Sequence, residues 1–201
     1  MRVVTILNCG HGNLASVRNA LESLGERVEI TGDPGRVRHA AILVFPGQGA
    51  APAGMRSLSA SGLGEAVLEA VRLGIPTLGI CLGMQLALER SLEGPTDCLG
   101  LIPGECMVFQ PAAGNKVPQI GWNTVRHEGN PLFDAIGQDS YFYFAHSYFC
   151  HPQTGIIART KYGLEYASAV ETGRFWGTQF HPEKSGTTGL RLLANFLSLA
   201  R

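Results

Sequence analysis

Two segments far apart in the chain carry a nucleophile, a base and an acid. The first reads Gly79-Ile80-Cys81-Leu82-Gly83. A nucleophile with glycine two residues to either side, set between a strand and a helix, is the pattern of a nucleophile elbow. The turn is tight, so larger flanking side chains would clash, and it projects the middle residue at the carboxyl end of a sheet. A following helix would aim its positive N-terminal end at Cys81 and favour thiolate over thiol. The backbone N–H of Leu82 would be left free to bind an oxyanion. A plainer reading of the same residues is a buried cysteine in a glycine-rich turn.

A thiol nucleophile needs a base, and the base needs an orienting group. Among six histidines (His11, His39, His127, His146, His151 and His181), His181 has both parts in Gln179-Phe180-His181-Pro182-Glu183. Pro182 disfavours a helical conformation at His181. In an extended segment side chains two apart share a face, so Glu183 can fix the imidazole tautomer and stabilise its charged form. His146, in Phe144-Ala145-His146-Ser147, is the rival base but lacks an acid at a matching position. His39, His127 and His151 read as surface or loop residues. Phe45-Pro46-Gly47-Gln48-Gly49 ends another apolar run, and its two glycines allow the Gln48 or Gly49 N–H to turn toward Cys81. That loop would complete the oxyanion hole begun by Leu82.

A different chemistry competes near the N-terminus. Gly10-His11-Gly12-Asn13-Leu14-Ala15 fits a dinucleotide-binding pattern between strand and helix, with Glu29 placed to hold a ribose. The chain is short for two nucleotide halves plus a substrate domain, and this reading leaves the elbow and the His-Pro-Glu run unexplained.

These residues need a scaffold, and the first half supplies alternating strands and helices. Val3 to Leu7, Arg27 to Thr31, Ala41 to Phe45 and Pro76 to Ile80 read as strands. Asn13 is an N-cap candidate for a helix carrying Leu14, Val17, Leu21 and Leu24. A second helix runs through Leu63, Ala66, Val67, Ala70 and Val71, and a third is expected from Leu82 to Leu92. Such alternation implies a mostly parallel α/β sheet with helices on both faces. In the second half, Tyr141 to Phe149, Gly155 to Thr160, Ala167 to Glu171 and Arg174 to Phe180 read as strands forming added antiparallel hairpins. An amphipathic helix through Leu190, Leu193, Phe196 and Leu197 closes the chain.

The 201 residues, 45% hydrophobic, suffice for one domain over 1–201, and no linker-like tract divides them. Lys plus Arg and Asp plus Glu balance at 16 each, with no basic run to suggest nucleic acid. No apolar run suggests a membrane span. The five cysteines are scattered without a Cys-x-x-Cys pair, which argues against a zinc site or disulfide framework and suits a reducing cytoplasm. The expected substrate is small, or the partner is a protein.

Together, Pro46-Gly47-x-Gly49, Gly79-x-Cys81-Leu82-Gly83-Met84-Gln85 and Gln179-Phe180-His181-Pro182-Glu183 resemble the class I, or triad, glutamine amidotransferases. Gly12-Asn13-Leu14-x-Ser16-Val17, Lys116 to Asn123, Tyr143-Phe144-x-His146-Ser147-Tyr148 and Glu183-Lys184-Ser185-Gly186 are similar to the glutaminase subunits of imidazole glycerol phosphate synthases. The resemblance implies a flavodoxin-like α/β fold and hydrolysis of L-glutamine to glutamate and ammonia, with neither metal nor organic cofactor. It implies a heterodimer in which a (β/α)₈-barrel cyclase subunit uses the ammonia to make imidazole glycerol phosphate in histidine biosynthesis. Carried over residue by residue, Cys81 is the nucleophile, His181 the base and acid, and Glu183 its orienter. Gly47, Gln48, Gly49, Leu82 and Gln85 would contact glutamine or its oxyanion; Asn13, Trp122, Asn123, Tyr143 and Lys184 would lie near the partner. The chain departs from the family pattern at Asn8-Cys9 and at Gln48. Outside this family, the same triad would serve another amide hydrolase, and the same fold without catalysis would serve a regulatory binding protein.

Overall fold

The computed structural model describes residues 2–10, 12–111 and 116–201. The strands of the first half are β1 (Val3–Leu7), β2 (Arg27–Thr31), β3 (Ile42–Gly47) and β4 (Thr77–Cys81), connected through helices α1 (Leu14–Ser23), α2 (Pro34–Arg38), α3 (Ala51–Ser61) and α4 (Leu63–Arg72). One helical turn, α5 (Leu82–Gln85), leads into β5 (Leu88–Ser91), β6 (Thr96–Asp97), β7 (Ile102–Val108) and β8 (Gln119–His127). The chain continues as β9 (Ser140–His146), β10 (Tyr148–Pro152), β11 (Ile156–Tyr162), β12 (Leu164–Thr172), β13 (Phe175–Thr178) and α6 (Gly186–Leu199).

The central strands run β2-β1-β3-β4-β13, and every pairing among them is parallel. This is the flavodoxin-like order, with β13 in fifth place. Beyond β13 the sheet continues largely through antiparallel pairings, as the hairpin reading expects, with β12 lying against β13 and β10 against β12. Buried strands need apolar residues on both faces, and β3 meets this by alternation. Ile42 and Val44 pack with Val17 and Leu21 of α1 and with Leu192, Leu193 and Phe196 of α6. Leu43 and Phe45 face the other way, against Leu58 of α3 and Leu63, Ala66, Val67 and Ala70 of α4. Asn13 caps α1 by accepting from the Ser16 N–H and donating to the Ser16 hydroxyl.

Two expectations need correction, and one helix went unread. The helix after Cys81 ends at Gln85 rather than Leu92. Leu82 to Leu88 is apolar apart from Gln85 and buried throughout, so its periodicity does not separate helix from strand. The Ala87 and Leu88 carbonyls accept from Leu101, Ile102 and Gly100, which pulls the segment into the sheet beside β7. The run Tyr141 to Phe149 is two strands, β9 and β10, broken at Ser147. Finally, α3 escaped the periodicity reading because its buried face is built largely from small residues, Ala51 and Gly54 with Leu58.

The turn at Cys81 depends on a close backbone approach. Cys81 has φ 54°, ψ −105°, a region costing an L-residue on the order of 1–3 kcal/mol. A Cβ at Gly83 would lie 1.9 Å from the Phe45 carbonyl oxygen, and one at Gly79 would lie 2.8 Å from Phe175 Cζ. Only glycine lets α5 start this close to β3. Gly83→Ala should therefore cost about 3 kcal/mol or more. Urea denaturation checks this, and a loss below about 1 kcal/mol would mean that β3 and α5 separate easily.

Candidate active site

The parallel register brings the sequence-predicted residues to one rim. Gly47, the last residue of β3, is the register partner of Cys81, the last of β4. On the other side Thr178 pairs with Ile80, so the chain leaving β13 carries Gln179, Phe180 and His181 past the sulfur. Cys81 and His181 are both buried, and they line one cleft of about 430 Å³ with Gln48, Gly49, Leu82 and Gln85. That volume suits a small-molecule ligand.

His181 and Glu183 meet by a different route from the extended one. His181 is extended, at φ −100° and ψ 95°, but Pro182–Lys184 forms a 3₁₀ turn. The turn still brings Glu183 Oε1 to 2.8 Å from His181 Nδ1, with the two side chains only 2% and 3% exposed. This bond reserves Nε2 of the ring for the cleft. The backbone is held equally firmly. His181 N–H donates to the Tyr143 carbonyl, and its own carbonyl accepts from the Ser185 hydroxyl. Glu183 Oε2 is buried with no hydrogen-bond partner among the described residues.

Burial alone would lower the affinity of His181 for a proton. The charge of Cys81, a hydrogen bond to that sulfur and the Glu183 carboxylate outweigh it, pushing the ring up to about 10. A charged ring is therefore held between a sulfur and a carboxylate. His146, the rival base, also lines the cleft but is held differently. Burial pushes it down to about 4; its Nδ1 lies 2.8 Å from the Tyr148 carbonyl and its Nε2 3.3 Å from the Tyr166 hydroxyl. It is a neutral structural imidazole with both nitrogens engaged.

The Leu82 N–H opens α5 and so has no acceptor within the helix. Gly49 has φ 98°, as an exposed loop able to reorient requires. Gln85 is buried, and its amide nitrogen donates to the Tyr148 carbonyl at 2.9 Å and to Gln179 Oε1 at 3.1 Å. Its hydrogens thus point into the protein, leaving only its oxygen to accept from a ligand. Glu93 is the residue that sequence reading missed: it lines the cleft while accepting from Ala51 N–H at 2.7 Å. Nothing in its run, Ser91-Leu92-Glu93-Gly94, marks it out.

Of the residues expected near a partner, Trp122, Tyr143 and Lys184 form a surface next to the cleft. Trp122 and Tyr143 are register partners on β8 and β9, their rings edge to face at 6.1 Å, with Lys184 Nζ 5.8 Å from the Tyr143 ring centre. Ile120, Trp122 and Tyr141 are 66%, 56% and 60% exposed. Asn123 instead donates to the Lys161 carbonyl, and Asn13 is spent on capping α1. In the dinucleotide-like segment His11 lies outside the described residues, and Glu29 is paired with Arg36. A Cβ at Gly12 would stand 3.9 Å from Gln48 N, so this loop abuts the Gly47–Gly49 loop.

The sequence profile of the family described as Glutamine amidotransferase class-I matches residues 5–199. The chain belongs to this family of enzymes. It is 44% identical over 201 residues to "Imidazole glycerol phosphate synthase subunit HisH" of Herpetosiphon aurantiacus, covering 98% of this chain and 95% of the relative. It is 45% identical over 197 residues to the HisH subunit of Deinococcus radiodurans, covering 96% and 92%. Within the class it therefore groups with the HisH subunits. A solved glutamine amidotransferase shares the fold at a TM-score of 0.77, with 21% identity and 98% of each chain covered. The structure of PurLQS from Thermotoga maritima does so at 0.77, with 18% identity and 100% of each chain covered.

The charged His181 ring gives a prediction with a definite sign. Its proton affinity in the folded protein lies above the ordinary 6.5, so its stabilising contribution is complete below about 6.5 and is lost as pH rises through about 10. Cys81→Ala removes both influences of the sulfur while burial remains. The His181 titration midpoint, followed by NMR of the ring, should fall. An unchanged midpoint would show that Glu183 alone sets it.

Proposed function

We propose that this chain is the glutaminase subunit of an imidazole glycerol phosphate synthase, hydrolysing L-glutamine through Cys81, His181 and Glu183. The observation that carries the reading is the buried His181 ring at the sheet's rim, lining one cleft with the Cys81 sulfur and held at 2.8 Å by the Glu183 carboxylate. In the mechanism, the proton of the Cys81 thiol already rests on His181, and the thiolate attacks the glutamine side-chain amide carbon. The resulting oxyanion is stabilised by the Leu82 N–H and the Gly47–Gly49 loop. His181 returns the proton to the leaving nitrogen, ammonia departs, and a γ-glutamyl thioester remains on Cys81. His181 then takes a proton from water, the hydroxide cleaves the thioester, and glutamate leaves with the thiolate restored. Glu183 keeps the ring in register and offsets its charge throughout.

Free glutamine brings an α-ammonium group that calls for a carboxylate. Glu93 supplies one in the cleft, and the Gln85 oxygen can accept beside it. Neither group takes part in bond cleavage, so both act chiefly on binding.

Ammonia is lost to water and protonation unless a consumer sits at the cleft. The exposed face of Ile120, Trp122, Tyr141 and Tyr143 is apolar and begins at the cleft mouth, where Ile120 and Lys184 line both. Such a face favours a permanent protein partner. The relatives' name as a synthase subunit supports a second subunit as that partner, and the family resemblance implies that it is the (β/α)₈-barrel cyclase of histidine biosynthesis. His181 N–H on the Tyr143 carbonyl ties the triad to this face. On this reading the chain works as one domain in the cytoplasm.

Ammonia release from glutamine, measured alone and with a candidate cyclase subunit, tests the proposal. Release should rise with the partner and fall to background in Cys81→Ala; full activity in that variant would overturn the nucleophile assignment. Glu93→Gln keeps an acceptor for Ala51 but loses the charge. It should raise KM about tenfold, the size of a charge-assisted hydrogen bond, and leave kcat within about threefold. Trp122→Ala should abolish most partner stimulation without changing the unstimulated rate, and undiminished stimulation would move the interface elsewhere.

A further inference from the structure

The Cys81 sulfur has a neighbour that the mechanism leaves unused. Gln179 is fully buried between β13 and His181, and its side-chain Nε2 lies 3.7 Å from Cys81 Sγ. Which end of the amide faces the sulfur is decided by the groups behind it. A backbone carbonyl can only accept, so the Gln85 atom 2.9 Å from the Tyr148 oxygen is its NH₂ nitrogen. That same nitrogen lies 3.1 Å from Gln179, so the Gln179 atom it meets is the acceptor, Oε1. The Cys150 thiol, 3.9 Å from this oxygen, is a second donor, since burial pushes its proton affinity well above the ordinary range. With its oxygen turned to two donors, the Gln179 NH₂ group has to face Cys81.

We propose that Gln179 is a hydrogen-bond donor to the Cys81 sulfur that stabilises the thiolate, and that Gln85 is the positioning residue holding it there. This rests on the reading of Cys81 as the nucleophile. A thiolate accepts a hydrogen bond far better than a neutral thiol or a thioester sulfur, and burial strengthens the difference. The donor therefore acts wherever sulfur carries charge. It stabilises the resting anion before attack, and it stabilises the same anion as the leaving group when water opens the thioester. Being neutral, Gln179 does so without competing with His181 for the proton. Its backbone is also anchored, with its N–H donating to the Ser168 carbonyl at 2.9 Å.

The test is the rate of Cys81 alkylation by iodoacetamide against pH, read by peptide mass analysis on the full chain. Gln179→Met keeps the side chain's length but removes the donor. The pH of half-maximal alkylation should rise by about one unit, the size of a hydrogen bond to a charged group. Gln179→Asn keeps the amide but withdraws it by one methylene, and should shift the profile the same way if the methionine variant folds poorly. A merely structural Gln179 would lower the thermal midpoint and leave the profile in place. A wild-type profile in a folded variant overturns the proposal. Glutamine hydrolysis persisting in Cys81→Ala would instead overturn the reading beneath it.

Discussion

The geometry of the site depends on three parallel strands ending at the same level. β3, β4 and β13 lie side by side with Gly47 opposite Cys81 and Thr178 opposite Ile80. Whatever leaves these strands is delivered to one rim: the Gly47–Gly49 loop from β3, a sulfur from β4, an imidazole and carboxylate from beyond β13. No side chain has to reach far. The convergence is a property of backbone register, which hydrogen bonds and burial on both sheet faces fix together. Slipping β13 by one residue against β4 would reverse which face each of its side chains meets.

Register places the groups, and local strain aims them. The left-handed conformation at Cys81 holds only because Gly79 and Gly83 allow close contacts with Phe175 and the Phe45 carbonyl. The following helix is a single turn, so the helix dipole contributes less to the sulfur than a long helix would. More of the electrostatic work falls to side chains, with His181 held charged and the Gln179 amide alongside. Behind them the Tyr143 carbonyl and the Ser185 hydroxyl fix the His181 backbone. On the proposed function, β9 therefore both carries Tyr141 and Tyr143 of the partner face and holds the His181 backbone.

What the sequence made legible follows from where its signals are local. The elbow could be read because two close contacts demand glycine within five residues, and the His-Pro-Glu run because its members are adjacent. The parallel core was readable from alternating strands and helices with clear apolar patterns. Long-range pairing left no such mark. The segment after Gln85 is apolar on all sides, and its strand character comes from β7, distant in sequence. Glu93 enters the cleft only because α3, whose N-terminus it caps, packs beside the elbow. Gln179 was visible merely as the start of a motif; its amide acquires a role from Gln85 and Cys150, which tertiary structure brings to it.

The most direct test of the central claim is covalent trapping with an electrophilic glutamine analogue, followed by mass analysis of the modified peptide. One adduct is expected, on Cys81, suppressed by excess glutamine and greatly slowed in His181→Ala. Modification of another cysteine, or labelling of Cys81 at an unchanged rate without the imidazole, would contradict it.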